Sequence, residues 1–250
     1  MTLKHQAIGG QLLQANWGTE AIFYESPISK PGQTARAGVP LCFPQFALRG
    51  NLPKHGFARN QAWECVCEET NRLRYSLRTT TSSWPNWPHI ASLEVAYTLQ
   101  GQDLRIDFSI RNDGEEAFFF TGGLHPYFLV DDLQQVQIAG LNGRVCDNLY
   151  RPEEKVFENE WLSFDESSYE CCFSGDGDIT LMENQLPKTV LSTTGFTHWM
   201  IWNPGRLGAK NISDLPDSDW NRFICIEPIV YEPLMLLPGE LFTGRFEIRK

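Results

Sequence analysis

The segment LEVAYTLQGQDLRIDFSI, residues 93–110, decides the fold class. Leu104, Ile106, Phe108 and Ile110 fall on one side of an extended chain, and Arg105, Asp107 and Ser109 on the other. That period of two is the mark of a half-buried strand. Gln100-Gly101-Gln102 turns the chain, and Leu93–Leu99 supplies the partner strand of a hairpin. Asn112-Asp113-Gly114 marks the next turn. The same signal recurs on both sides of this hairpin. Upstream, Leu73, Tyr75 and Leu77 alternate with Arg74, Ser76 and Arg78 inside a hairpin over Trp63–Thr81, and Gln11–Tyr24 reads as two short strands around Asn16-Trp17-Gly18. Downstream, strands are expected at Phe118–Phe120, whose three aromatics have the composition of a buried strand, and at Val136–Ile138, Tyr169–Phe173, Ile179–Met182 and Val190–Trp202. Phe223–Ile226 reads as a short strand stopped by Pro228, and Leu234–Ile248 as a last pair about Pro238-Gly239. Helical periodicity is sustained nowhere, and Ala209–Asp219 holds one short helical turn at most. The expectation is an all-β chain, a large sandwich with few short helices, forming a single domain over residues 1–250.

Composition narrows the function classes. A net charge of −10 disfavours nucleic acid, whose affinity comes largely from basic side chains meeting phosphates. No run approaches the ~20 apolar residues of a membrane helix, and the opening MTLKHQAIGG lacks a charged start followed by an apolar run. A cytoplasmic monomer with no membrane partner is expected, and its seven cysteines are expected to be reduced thiols. Cys65/Cys67 and Cys171/Cys172 lack paired zinc-ligand spacing, and Cys42 and Cys225 sit in apolar, core-like runs. There is no GxGxxG after a strand, no Walker A, no HExxH and no GxSxG, so neither cofactor nor metal is expected.

The charge is unevenly spread. Between Ser26 and Trp63 there is no Asp or Glu, while Lys30, Arg36, Arg49, Lys54 and Arg59 all fall there. An acidic chain with one basic segment suggests a local site for a small anion. Within that window Pro40 and Pro44 interrupt the alternation of Val39, Leu41 and Phe43, which suits irregular backbone packed inward as a site wall. Two titratable groups each follow an apolar strand. His125 comes after Phe118–Phe120 and two glycines that permit either a turn or a close approach, and Glu227 comes after Phe223–Ile226. A carboxylate at a buried strand end needs a partner. Glu227 therefore pairs with an arginine such as Arg222, or works with a second titratable group. An acid and a base across a cleft suit a reaction that moves two protons without a cofactor.

Five blocks, in order, carry a family resemblance: ARAGVPLCFPQF at 35–46, HGFARNQAW at 55–63, GLHPYF at 123–128, IWNPG at 201–205 and FICIEP at 223–228. The sequence resembles the aldose 1-epimerase (galactose mutarotase-like) superfamily, in its glucose-6-phosphate 1-epimerase branch. The resemblance implies a β-supersandwich and interconversion of the α and β anomers of a hexose 6-phosphate. It implies that His125 protonates the ring oxygen and that Glu227 takes the proton of the anomeric hydroxyl. It implies that Arg36 and Arg59 bind substrate and phosphate, with forked hydrogen bonds that lysine cannot copy. Lys54, where some relatives carry glutamine, adds positive charge. His55 serves either structure or sugar binding. The family's substrate-binding acid maps to FDESSYECCF, with Glu170 and Asp165 as candidates. Arg36-Ala37-Gly38 stands where the branch commonly shows Arg-Gly-Gly. His89 and His198 are read as structural, and Trp199, Trp202 and the aromatics beside His125 as core or sugar-lining. Two other readings stay open: a sugar-phosphate sensor on the same fold, and a mutarotase for unphosphorylated aldoses.

Overall fold

The structure, a computed structural model, describes residues 3–30, 32–148 and 151–250. The hairpin of alternating residues spans Ala91–Gln100 and Asp103–Asn112, two antiparallel strands in the middle of a nine-stranded sheet. In order, that sheet runs Trp161–Ser163, Val136–Ala139, Ile179–Glu183, Leu186–Thr194, Leu241–Arg249, the hairpin, Arg72–Arg78 and Glu64–Glu69. An eight-stranded sheet packs on it. Its order is Arg151–Val156, Val145–Asn148, Tyr169–Ser174, His198–Asn203, Phe223–Leu236, Phe118–Leu124 and Leu41–Cys42, with Tyr127–Leu129 also pairing with Phe223–Leu236. A three-stranded sheet of Leu3–Gln6, Gln11–Trp17 and Glu20–Ala21 flanks them. Helical structure among the described residues is confined to Gly205–Ala209 and short 3-10 turns. No described helix is long and apolar enough to cross a membrane. The all-β expectation holds.

The main core lies between the two large sheets. Ring contacts cross it: Phe120 on Phe242 at 5.3 Å, Trp199 on Phe246 at 5.9 Å and Phe128 on Phe246 at 6.4 Å. Alternation decides which side chains enter it. Along His198–Asn203, Trp199 and Ile201 join the core, so Met200 and Trp202 face the other way.

Four sequence expectations are corrected by long-range pairing. Val190–Trp202 is two strands in different sheets, because the chain crosses at Gly195, whose φ is +83° and whose missing Cβ makes room for the Thr243 carbonyl. Pro228 does not stop its strand, which runs on to Leu236 with a register irregularity between Val230 and Leu234. The middle of the Phe118–Phe120 triplet is 62 % exposed, since successive side chains of a strand take opposite faces. Cys146 and Cys171, expected as free thiols, form a disulfide between neighbouring strands, while Cys42, Cys65, Cys67, Cys172 and Cys225 are free.

Gly122 and Gly123 resolve the choice between a turn and a close approach. Both lie inside the strand. A Cβ on Gly122 would stand 2.2 Å from the Cys42 carbonyl oxygen, and one on Gly123 would stand 2.3 Å from that of Pro228. The missing side chains let this strand be gripped by its neighbours, and the same strand leads directly to His125.

Candidate active site

A cleft lies on the outer face of the eight-stranded sheet, and the pairing register builds its floor. Glu170, Trp202, Cys225 and Tyr127 are successive cross-strand partners. Cys172, Met200 and Glu227 form a second row beside them. The acid-free segment forms the rim. Val39 bridges to Leu12 and Phe43 to Gly56, and the His125 backbone N–H donates to the Pro40 carbonyl at 2.9 Å. The resulting cavity of about 170 Å³ is lined by Arg36, Lys54, His55, Arg59, His125, Tyr127, Glu170, Trp202 and Glu227 among others. All seven residues expected at a site therefore meet in one place, from segments up to about 190 positions apart in the chain. Asp165 does not join them; it accepts from the Ser167 N–H in a loop elsewhere. Arg222 is no partner of Glu227 either, because its guanidinium donates to the Asp131 carbonyl. His89 packs on Trp87 and Phe118, and His198 on Tyr231, both outside the cleft.

His125 Nε2 and Glu227 Oε1 are 3.5 Å apart. Both side chains are buried, and neither His125 Nδ1 nor Glu227 Oε2 has a hydrogen-bond partner among the described residues. The Tyr127 ring stacks on the imidazole at 4.9 Å, while Trp202 and His55 meet it edge-on at 5.9 and 5.2 Å. Packing rather than hydrogen bonding thus fixes the ring plane.

The electrostatics push the two groups toward one another. Burial, helped by Arg59, Arg36 and Lys54, holds the His125 imidazole well below the ordinary histidine range. Burial, helped by Glu170, raises the Glu227 carboxyl well above the ordinary carboxylate range, with Lys54 and Arg59 opposing. Imidazole plus carboxylic acid contains as many protons as imidazolium plus carboxylate. The two shifts favour the form with one proton on the Glu227 carboxyl beside a neutral imidazole, so the pair holds a single proton that an acid and a base in contact can pass between them.

Arg36 is held more firmly than its sequence context suggested. Its Nε and Nη2 each lie 2.9 Å from Asp214 Oδ1, and its Nη1 donates to the Tyr127 hydroxyl at 2.9 Å. Burial works against its charge, but Tyr127 and Asp214 more than offset this and keep its pKa above the usual value. Asp214 was missed as a functional candidate, and Tyr127 was read only among the aromatics beside His125 that line a sugar site or the core. Asp214 sits 178 positions from its partner in a polar turn-rich segment, and no local pattern marks it. Tyr127 is part of the GLHPYF block, and its adjacency to the histidine was the available signal. Arg59 lines the same cleft, with its Nε buried and lacking a hydrogen-bond partner among the described residues. Arg36, Arg59 and Tyr127 also line an adjoining polar cavity of about 330 Å³.

His55 is oriented by backbone. The Ala47 N–H points at its Nδ1 from 3.3 Å, which leaves Nε2 to carry the proton of the neutral ring. Burial, with the neighbouring His125 next, keeps that ring neutral. Glu170 is half-buried and its carboxyl is raised by burial, with Lys54 pulling the other way. Ala37 is fully buried, and its carbonyl accepts from Gln11 Nε2, so the methyl group that replaces the usual glycine is accommodated.

The family model for aldose 1-epimerase matches residues 9–249. This chain belongs to the aldose 1-epimerase family. Members of that family are isomerases that interconvert sugar anomers, and this family member is accordingly an isomerase. A relative from Cenchrus ciliaris, named "Putative glucose-6-phosphate 1-epimerase", is 30 % identical over 96 % of this chain and 78 % of its own. One of the same name from Salmonella typhimurium is 28 % identical over 80 % and 69 %. Solved structures agree in fold. A "putative mutarotase" from Salmonella typhimurium superposes with a TM-score of 0.84 at 23 % identity, covering 98 % of this chain and 86 % of that one. A galactose mutarotase-like protein from Lactobacillus casei gives 0.76 at 15 % identity, covering 100 % and 99 %. The β-supersandwich expected of this aldose 1-epimerase family member is the fold it has.

Proposed function

We propose that this protein interconverts the α and β anomers of a hexose 6-phosphate, glucose 6-phosphate first, by acid–base ring opening and closure without a cofactor. One observation carries the reading: the His125–Glu227 pair and the Arg36/Arg59 pair face the same cleft. His125 protonates the ring oxygen while Glu227 takes the proton of the anomeric hydroxyl. The two oxygens sit on one carbon, so an acid and a base only 3.5 Å apart suit them. The ring opens, the aldehyde turns about its bond to the second carbon, and closure on either face returns both protons with the roles reversed. Each positioned transfer is worth ~10²–10⁴ in rate. Arg36, braced by Asp214 and Tyr127, and Arg59 hold the phosphate with forked hydrogen bonds. Lys54 adds charge, and His55 and Glu170 serve the sugar hydroxyls.

Anomer exchange measured by NMR, with chelator present, tests this on glucose 6-phosphate, galactose 6-phosphate, glucose and galactose side by side. Acceleration restricted to the phosphorylated sugars is expected. Equal acceleration of neutral sugars would discard the phosphate role. Binding of a sugar phosphate without turnover would make the protein a sensor.

A further inference from the structure

Beneath the cleft, outside its lining, lies a third group that the proposed acid–base chemistry does not use. Cys225 lies two residues before Glu227 on one strand, so both side chains leave the same face. It is fully buried. Its Sγ, a ring nitrogen of His125 and a carboxylate oxygen of Glu227 all lie within 4.8 Å of one another. Nitrogen, oxygen and sulfur ligands sit ~2.0–2.3 Å from a tetrahedral zinc ion, which places them roughly 3.3–3.6 Å from each other. The 3.5 Å between His125 Nε2 and Glu227 Oε1 is already such an edge. Side-chain shifts of about 1 Å bring the thiol to the third corner. His125 Nδ1 and Glu227 Oε2 make no hydrogen bonds among the described residues, so no hydrogen bond at these atoms is lost in those shifts, which the rings packed on His125 limit to small ones.

We propose that His125, Cys225 and Glu227 form an inhibitory site for a thiophilic divalent cation, zinc in the first place. The metal takes the Nε2 lone pair, one carboxylate oxygen and the Cys225 thiolate, and leaves a fourth position open to the cleft. The thiol proton and the proton of the pair pass to solvent, and nothing is oxidised or reduced. Two anionic ligands neutralise the dication, which matters in a cleft that also holds Arg36, Arg59 and Lys54. The bound metal occupies the lone pairs that must accept protons from the sugar, so metal and sugar exclude one another. Magnesium, which prefers oxygen ligands, has no use for the thiolate and is not expected to compete.

The experiment uses the full chain with Cys65→Ser and Cys67→Ser, because Cys65 is exposed and Cys67 partly so. Titration with cobalt(II) is expected to give tetrahedral visible bands and a thiolate-to-metal charge-transfer band. Zinc is expected to inhibit anomer exchange reversibly, with more zinc needed as sugar concentration rises. Cys225→Ala keeps the basal rate and loses the charge-transfer band. Its zinc inhibition weakens about 100-fold or more, since even outer-shell partners of a metal site are worth ~10–100-fold. Cys225→Ser, closer in volume, repeats the test should the alanine variant not fold. Zinc inhibition unchanged in a folded Cys225 variant overturns the proposal. So does a charge-transfer band that persists there, or one missing from the parent protein. The cobalt spectrum reads the site whichever sugar the enzyme turns over.

Discussion

Replacing Glu227 by glutamine isolates the proton-accepting step. The carboxyl is 1 % exposed, its Oε1 is 3.5 Å from His125 Nε2, and its Oε2 has no hydrogen-bond partner among the described residues. Glutamine has nearly the same volume, so the Met200 and Cys172 row beside it need not repack. It cannot accept a proton. A positioned base contributes ~10²–10⁴, so the barrier should rise by about 2.7–5.4 kcal/mol at ~1.36 kcal/mol per decade. Arg36 and Arg59 are untouched, so the loss should appear in kcat with KM nearly unchanged. Stability should not fall, because a neutral amide replaces a carboxyl that burial already favours in its neutral form and spares the folded chain the cost of keeping that carboxyl protonated. Exchange NMR on glucose 6-phosphate gives the rate, and thermal unfolding gives the stability. A folded Glu227→Gln protein that kept more than about a tenth of the parent exchange rate would remove Glu227 from the mechanism.

Arg36→Ala should weaken glucose 6-phosphate by ~1.5–3 kcal/mol, the worth of hydrogen bonds to a charged group, or ~10–150-fold in KM; equal losses on neutral glucose in parallel kinetics would argue against phosphate recognition. Gly122→Ala drives a methyl group to 2.2 Å from the Cys42 carbonyl, at a cost of about 3 kcal/mol and so on the order of 10 °C in Tm; calorimetry showing no loss would refute the close-approach account of that strand. Burial raises Glu227 and lowers His125, so the folded pair keeps its one proton while the unfolded pair holds one between about pH 4.3 and 6.5 and none above. Stability should therefore fall above about pH 6.5 by ~1.4 kcal/mol per pH unit until the folded pair ionises, and denaturant titrations in which Glu227→Gln keeps the parent slope would assign that slope elsewhere.

Much of the site was legible because its residues sit in short blocks with unusual backbone demands. Gly122 and Gly123 precede His125, prolines and glycines punctuate residues 38–56, and an apolar strand delivers Glu227. The absence of acids from Ser26 to Trp63 pointed to anion binding with no reference to shape. Asp214 escaped because its role is a contact across 178 positions of chain. The choice between Asp165 and Glu170 needed the register of Tyr169–Ser174 against His198–Asn203, which sets Glu170 beside Trp202. The Cys146–Cys171 pairing was hidden for the same reason: composition and compartment bear on redox state in general, whereas only strand adjacency brings two particular sulfurs together.

Local pattern in the sequence was enough to set the fold class and to single out the reactive groups. Period-two alternation made the chain all-β, turn residues separated many of the strands, residue chemistry named His125 and Glu227 as candidates, and the family resemblance picked Arg36 and Arg59 out of the basic window. Pairing between distant strands belongs to the tertiary structure. It carried the chain from one sheet to the other at Gly195, extended Phe223–Leu236 through Pro228, and exposed Phe119. It also placed a buried thiol within 4.8 Å of the His125 and Glu227 side chains. Alternation gives a strand two faces, but only the partner strand and the layer packed against it decide which face is core and which is cleft.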